Sequence, residues 1–364
     1  MRDTGENLLF GKFDEVLKSA LRVEPLLLEP RTAWLNGQQP TFSDMFCGIG
    51  GFHSAGASLG MKCVFACDID AAAREQYEHV YKLRPESDIC KVDITQIPDH
   101  DILCAGFPCQ PFSIIGDRAG FADARGTLFF ELAKIIQAKT PPAFVLENVK
   151  QLATHNKGKT LSHILQILRA LGYFVDFRIL NALYFGVPQK RERVLIVGFR
   201  GDDVTSFPWP TRRIPIIPLS EILEAKPDES TFVSERIGRA RKKAHTSKHK
   251  PGIWHENKSG NISSHPFSCA LRAGASYNYL LVDGERRLTP REMLRLQGFP
   301  DTFDIIGTDS AIRKQAGNSV PVPMVKAILE RVINVQRNRT QAEGQCAPTN
   351  RSISAGRNAI LARR

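Results

Sequence analysis

Cys109 stands in Gly106-Phe107-Pro108-Cys109-Gln110-Pro111, directly after a short apolar run at 101–105. A thiol at the end of a strand, on a turn stiffened by proline, can act as a nucleophile when nearby positive charge lowers its pKa. An isolated cysteine is more often a small buried hydrophobe, so the thiol needs partners before it means chemistry. Candidates follow along the chain. Glu147 ends the apolar run Phe144-Val145-Leu146, where a carboxyl in apolar surroundings can donate a proton or a hydrogen bond. Arg191 and Arg193 lie in Gln189-Lys190-Arg191-Glu192-Arg193, and alternation on an extended chain would aim both guanidiniums to one side. Two guanidiniums on one side suit an anion or a base edge.

A second group of residues suits a ligand. Asp44-Met45-Phe46-Cys47-Gly48-Ile49-Gly50-Gly51-Phe52 places glycines between a strand and a helix start, where the backbone turns sharply and a ligand can approach closely. Asp68 follows Gly48 by 20 positions, the interval at which an acidic residue meets ribose hydroxyls. The two features indicate a nucleoside-containing cofactor, either a dinucleotide or S-adenosylmethionine, and the spacing does not separate them.

These residues must be held by ordered elements. Short apolar runs at 41–46, 62–67, 101–105 and 143–146 read as strands and 71–81 and 128–137 as helices, an alternation that predicts βαβ units and a parallel sheet. Further strands are expected at 173–180 and 193–199, around the Gly186-Val187-Pro188 turn. In such a sheet ligands sit at the carboxyl ends of the strands, which is where Cys109, Asp68 and Glu147 fall. Residues 200–285 lose the alternation and read as a small separate domain, without a sustained helical period. Within it Arg236, Arg239, Arg241, Lys242, Lys243, Lys248 and Lys250 occupy fifteen residues free of acidic groups, a candidate phosphate-contacting stripe. Helical texture returns at 286–336. Residues 1–40 form an N-terminal extension, and the polar, basic 337–364 is expected to be a disordered tail.

The chain of 364 residues carries a net charge of +11, an excess that favours a polyanionic partner. A hydrophobic content of 42% and a charged content of 24% are those of a folded globular protein and exclude disordered and collagenous classes. No apolar run approaches the roughly 18 residues of a membrane span, and Asp3 and Glu6 are unlike a signal peptide, so a cytoplasmic location is expected. The 8 cysteines are scattered, as reduced thiols, without the spacing of a zinc site, and no metal is expected.

In their order these motifs resemble the DNA (cytosine-5) methyltransferases of bacterial restriction–modification systems. The likeness covers 41–199 and 287–335: the Phe-Cys-Gly-Ile-Gly-Gly loop, the Asp68 strand end, Pro108-Cys109-Gln110, Glu147-Asn148-Val149, the Gln189-to-Arg193 run, Arg287-Leu288-Thr289-Pro290-Arg291-Glu292 with Leu296-Gln297-Gly298-Phe299-Pro300, and Gly317-Asn318-Ser319-Val320. It implies an α/β, Rossmann-like S-adenosylmethionine-dependent fold interrupted by a small target recognition domain, and an enzyme that flips a cytosine out of duplex DNA. Cys109 would attack carbon 6, Glu147 would hold nitrogen 3, and Arg193, with Arg191 beside it, would contact the ring oxygen. Phe46, Gly48, Gly50, Asp68, Ile69, Asp93, Ile94, Pro108, Asn318 and Ser319 would line the S-adenosylmethionine pocket. Asp68 is a departure, since the family more often has Glu there. Gln110, Arg118 and Arg125, on a long glycine-containing loop, and Arg241, Lys242, Lys243, Arg272 and Tyr277 would contact DNA. The resemblance further implies a monomer in the bacterial cytoplasm, associated with the nucleoid and paired with a restriction endonuclease of the same specificity. The rival readings are a tRNA methyltransferase of the same architecture, a catalytically silent DNA-binding relative and a nicotinamide oxidoreductase reusing the glycine loop.

Overall fold

The computed structural model describes residues 39–108 and 127–346. In chain order it contains β1 (Thr41–Met45), α1 (Gly51–Ser58), β2 (Lys62–Cys67), α2 (Ala71–Tyr81), β3 (Ile102–Ala105), α3 (Thr127–Lys139), β4 (Ala143–Val149), α4 (Lys159–Ala170), β5 (Tyr173–Asn181), β6 (Gln189–Lys190) and β7 (Glu192–Arg200). Strands pair in the order β2-β1-β3-β4-β7-β5. The first four run parallel, as the alternation of strand and helix predicts. The seventh does not: β7 lies antiparallel between β4 and β5. Only residues 182–191 separate β5 from β7, too few for the crossover of a dozen or more that a parallel return needs.

Residues along each central strand alternate between two cores. Ile102, Cys104, Val145, Leu195 and Val197 face one side, with Phe52 and Ala55 of α1, while Leu103, Ala105, Phe144, Leu146 and Ile196 face the other, with Leu132, Ile136, Ile164 and Leu168 of α3 and α4. Burial on both faces is why these strands read as continuous apolar runs.

The remaining elements are α5 (Leu219–Ile222), α6 (Glu235–Ala244), β8 (Ile253–Glu256), β9 (Ile262–His265), β10 (Ser268–Cys269), β11 (Leu280–Val282), α7 (Pro290–Gln297), α8 (Asp309–Asn318) and α9 (Val322–Cys346). Strands β11, β8 and β9 form a small antiparallel sheet, and β10 pairs with β6 of the large unit. The basic stripe from Arg236 to Lys243 lies on a helix, α6, which no apolar period announced because Arg241 is its one buried side chain, and Lys248 and Lys250 follow the helix. Residues 204–222 adjoin the large sheet: Phe207 lies against Phe199, and Trp209 Nε1 donates to Asp176 Oδ2 at 2.7 Å.

The chain returns to the large unit through a capping box at α7, in which Thr289 and Glu292 satisfy each other's backbone N–H groups. Glu292 is also held by two guanidinium bonds from buried Arg286, at 2.9 and 2.7 Å. Then α9 packs Met324, Val325, Ile328 and Leu329 into the first core. It continues to Cys346, so the expectation of a disordered tail from residue 337 is corrected for 337–346. The physical reason is polar docking: Arg339 donates to both carboxylate oxygens of Asp203 at 2.6 and 2.7 Å and to Arg200 O at 2.7 Å. Residues 1–38, including the N-terminal extension, and 347–364 lie outside the described residues. Among the described residues no helix is long and apolar enough to cross a membrane.

Candidate active site

Strand register builds the site. Met45 pairs with Cys67 on one side and Ala105 on the other, and Ala105 pairs with Leu146. The next residue of each strand, Asp68, Phe46, Gly106 and Glu147, therefore emerges in one row at the carboxyl edge of the sheet.

Phe46, Gly48 and Gly50 have φ of 56°, 53° and 84°, so the chain turns back on itself immediately after β1. Left-handed backbone is unfavourable for phenylalanine, and strain of this kind concentrates at binding sites. A side chain at Gly50 would strike the Tyr81 ring and one at Gly51 would strike Val320, whereas Gly48 has open space beside it. Asp68 secures this turn, accepting from Gly48 N at 2.7 Å and from Asp70 N at 2.8 Å. Burial raises its pKa, against the two backbone N–H groups that favour the anion. Each oxygen keeps a further lone pair for a hydroxyl donor. Beside it Ile69 is 78% exposed, an apolar surface that a flat ring could cover. Asp93 caps the following turn through Thr95 N, with Ile94 half-buried behind it. Ser319, at the end of α8, lies beside Gly51 with Val320; Asn318 is the last residue of that helix. The open backbone of Gly48, the exposed Ile69 and the spare capacity of Asp68 fit a nucleoside-bearing ligand.

Behind the loop, His53 Nδ1 lies 2.7 Å from Tyr77 Oη and its ring stacks on Tyr81 at 3.8 Å. Burial pulls His53 from 6.5 down to about 4. Below pH 6.5 the folded state then binds fewer protons than the unfolded chain, so stability present above 6.5 is lost as pH falls towards 4. The urea midpoint of His53→Gln should fall less across this window than that of the parent. Parallel curves would overturn a neutral, buried His53.

Glu147 is nearly buried, and Arg193 Nε lies 2.7 Å from its Oε1. The contact is close but poorly directed, so Oε1 has no well-aligned hydrogen bond. Its Oε2 lies 3.8 Å from where a Cβ on Gly106 would stand, with Phe46 O and Val320 at 3.9 Å. The carboxylate is thus paired with a guanidinium yet keeps bonding capacity to spare. Asn148 Nδ2 donates to Phe107 O at 2.8 Å, fastening the segment that leads into Pro108 to the Glu147 strand. Cys109, Gln110, Arg118 and Arg125 lie outside the described residues.

Residues 41–334 match the family model for C-5 cytosine-specific DNA methylases. The chain belongs to that family. It is a DNA cytosine-5 methyltransferase. It is 52% identical over 290 residues to the Type II methyltransferase M.NgoBI of Neisseria gonorrhoeae, covering 78% of this chain and 90% of the relative. It is 51% identical over 294 residues to M.HaeII of Haemophilus aegyptius, covering 80% and 92%. The crystal structure of S. pombe Dnmt2 methyltransferase shares the fold with a TM-score of 0.65 and 20% identity, covering 82% of this chain and 99% of that one.

In this methylase the two expected arginines separate. Arg191 is 2% exposed and bonds to backbone carbonyls instead of to Glu147. It donates to Leu271 O at 2.9 Å, Gly317 O at 3.0 Å and Ser319 O at 2.7 Å. This corrects the expectation that both guanidiniums serve one ligand: the strand alternation fails because Arg191 falls in the break between β6 and β7. Burial, with Arg193 close by, pulls Arg191 from 12.5 down to about 9, so it remains a cation at neutral pH. Arg191→Met would strand three buried carbonyls and should cost about 3–5 kcal/mol of unfolding free energy. A denaturation curve unchanged from the parent would overturn the clamp.

Gln189 performs a related task that sequence reasoning missed. It is fully buried, donates to Leu296 O at 2.9 Å and accepts from Leu271 N at 3.0 Å. Its signal was only its place beside the arginine pair. Among the expected DNA contacts, Arg241 is buried, ion-paired with Glu256 and bonded to Asn278 O, so it supports the small sheet and is withdrawn as a phosphate contact. Lys242 is exposed but pairs with Glu285, and Lys243 is exposed. Tyr277 is 55% exposed beneath the Arg313 guanidinium, and Arg272 lies over the ring of Tyr279.

Proposed function

We propose that this methylase transfers the methyl group of S-adenosylmethionine to carbon 5 of one cytosine within a short duplex sequence, protecting that sequence from a companion endonuclease. The observation that carries the reading is the Glu147–Arg193 pair, incompletely bonded beside Gly106 at the carboxyl edge of the sheet, two strands from the glycine turn. The turn at Gly48, Asp68, Ile69, Asp93 and Ile94, together with Pro108, Asn318 and Ser319, would hold S-adenosylmethionine, which would supply an electrophilic methyl group. Cys109 Sγ forms a bond to carbon 6 of the extruded base and the ring's electron pair moves to carbon 5. Glu147 shares a proton with nitrogen 3, so addition leaves no bare negative charge on the pyrimidine, and Arg193 donates to the ring oxygen. After carbon 5 is methylated, its proton leaves to a base and the bond to Cys109 breaks.

DNA reading falls to the unit of α6, β8, β9 and β11 with the 270–279 loop, while residues 204–222 brace the large sheet. Gln110, Arg118 and Arg125 serve the extruded base and its phosphates, with Lys242 and Lys243 as further phosphate contacts. The enzyme works as a monomer in the bacterial cytoplasm, where its substrate is. Labelled methyl transfer to unmethylated duplex DNA, with bisulfite sequencing of the product, tests the reading. Modification confined to one short motif is expected. Transfer to tRNA alone, or none with S-adenosylmethionine still bound, would overturn it.

A further inference from the structure

We propose that Arg272 reads a guanine of the target sequence, donating its guanidinium fork to O6 and N7 of that base in the major groove. The inference rests on the DNA-methylating reading above and assigns part of its specificity to one side chain.

The backbone around Arg272 is fastened to the catalytic unit from several directions. Leu271 N donates to Gln189 Oε1 at 3.0 Å, and Leu271 O accepts from Arg191 Nη1 at 2.9 Å. Arg272 N donates to Tyr279 Oη at 2.9 Å. Gly317 packs so closely that a Cβ there would lie 2.4 Å from Ala273 N. The clamping residues, Gln189 and Arg191, lie four and two positions before Arg193, which pairs with Glu147. Arg272 is therefore in fixed register with the site where the cytosine reacts.

Its side chain is exposed, yet also positioned. The guanidinium carbon sits 4.7 Å from the ring centroid of buried Tyr279. A guanidinium over an aromatic face is held there by the ring's quadrupole, and its N–H groups stay available to another acceptor. Among the described residues this guanidinium meets no carboxylate or carbonyl. The neighbouring arginines are engaged: Arg313 with Ala275 O and Ser276 O, Arg287 with Ser230 O, Arg241 with Glu256. Arg272 and Tyr279 also form the shared wall of two hollows. One, of about 260 Å³, continues to Tyr277, Arg287 and Arg313, and the other, of about 670 Å³, to Asn257, Lys258 and Ser276. A polyanion entering there meets donors on both sides of the fork, with one carboxylate in each wall, Asp309 in the first and the Arg241-paired Glu256 in the second.

Guanine is the base whose major-groove edge offers two acceptors at the spacing of a guanidinium fork. A phosphate makes no demand for a fixed backbone, and an exposed lysine such as Lys258 would serve it as well. Rigid attachment together with a stacked, unengaged fork is what direct readout requires.

The test uses the full-length enzyme and the duplex motif found by bisulfite sequencing. Arg272→Ala should lower kcat/KM on that motif by roughly ten- to a hundredfold and relax selectivity at a single G·C pair. Placing 7-deazaguanine at that pair should impair the parent enzyme and leave Arg272→Ala nearly unaffected. Arg272→Lys keeps the charge without the fork and should relax the same position. Equal loss on every sequence with a shallower salt dependence would make Arg272 a phosphate contact and overturn the proposal, as would unchanged selectivity in both variants. If the parent methylates no duplex DNA, the broader reading fails instead.

Discussion

Cys109→Ser will lose methyl transfer by roughly 10⁴-fold or more, the scale seen when a covalent nucleophile is removed, while S-adenosylmethionine and duplex DNA still bind. A hydroxyl at this position is far less readily ionised than a thiol, and it lacks the polarisable sulfur that adds to an electron-poor ring carbon. The substitution changes one atom and leaves the flanking Pro108 and Pro111 in place, so binding is not expected to suffer. Single-turnover transfer of labelled methyl, beside a DNA-binding isotherm, measures both quantities. Turnover near the parent rate would sink covalent catalysis by this residue.

Glu147→Gln will reduce kcat by roughly 10²–10³-fold with little effect on cofactor affinity, because glutamine preserves shape but cannot share a proton with the pyrimidine. Arg193 is the complication. Its side chain is only 12% exposed and its Nε points at Glu147, so removing the negative charge leaves a poorly compensated cation. Chemical denaturation of Glu147→Gln, Arg193→Gln and the double variant separates the effects. Stability lost by the first should be partly recovered in the third, whereas activity should not. Recovery of activity in the double variant would mean that the pair only supports the fold.

The candidate site was legible early because βαβ units make it local. Each residue proposed to face the ligand lies just beyond the apolar run that positions it: Phe46 after β1, Asp68 after β2, Gly106 after β3. Parallel strands deliver all such ends to one edge, whatever else the chain does. Glu147 differs slightly, since β4 continues to Val149 and the residue sits within the strand, where pairing with β7 holds it. Helix α6 was missed for the opposite reason: a helix whose buried residue is an arginine lacks the apolar period on which recognition depends.

What the sequence by itself determined was the family, the order of the motifs and the identity of the groups able to react. What only the tertiary structure decided was which of those groups meet. Arg193 reaches Glu147 because β7 runs antiparallel, setting Val149 opposite Arg193 at the same edge where parallel strands end. Arg191, two positions away, is taken by carbonyls of Leu271, Gly317 and Ser319, from 80 to 128 residues distant. Arg241 is spent on Glu256, while Arg272 is left with its fork free. All four residues are arginines with the same intrinsic capacity. Their tasks differ because a buried guanidinium must be satisfied by whatever acceptors the fold brings to it, and those acceptors lie on segments that local spacing does not reveal.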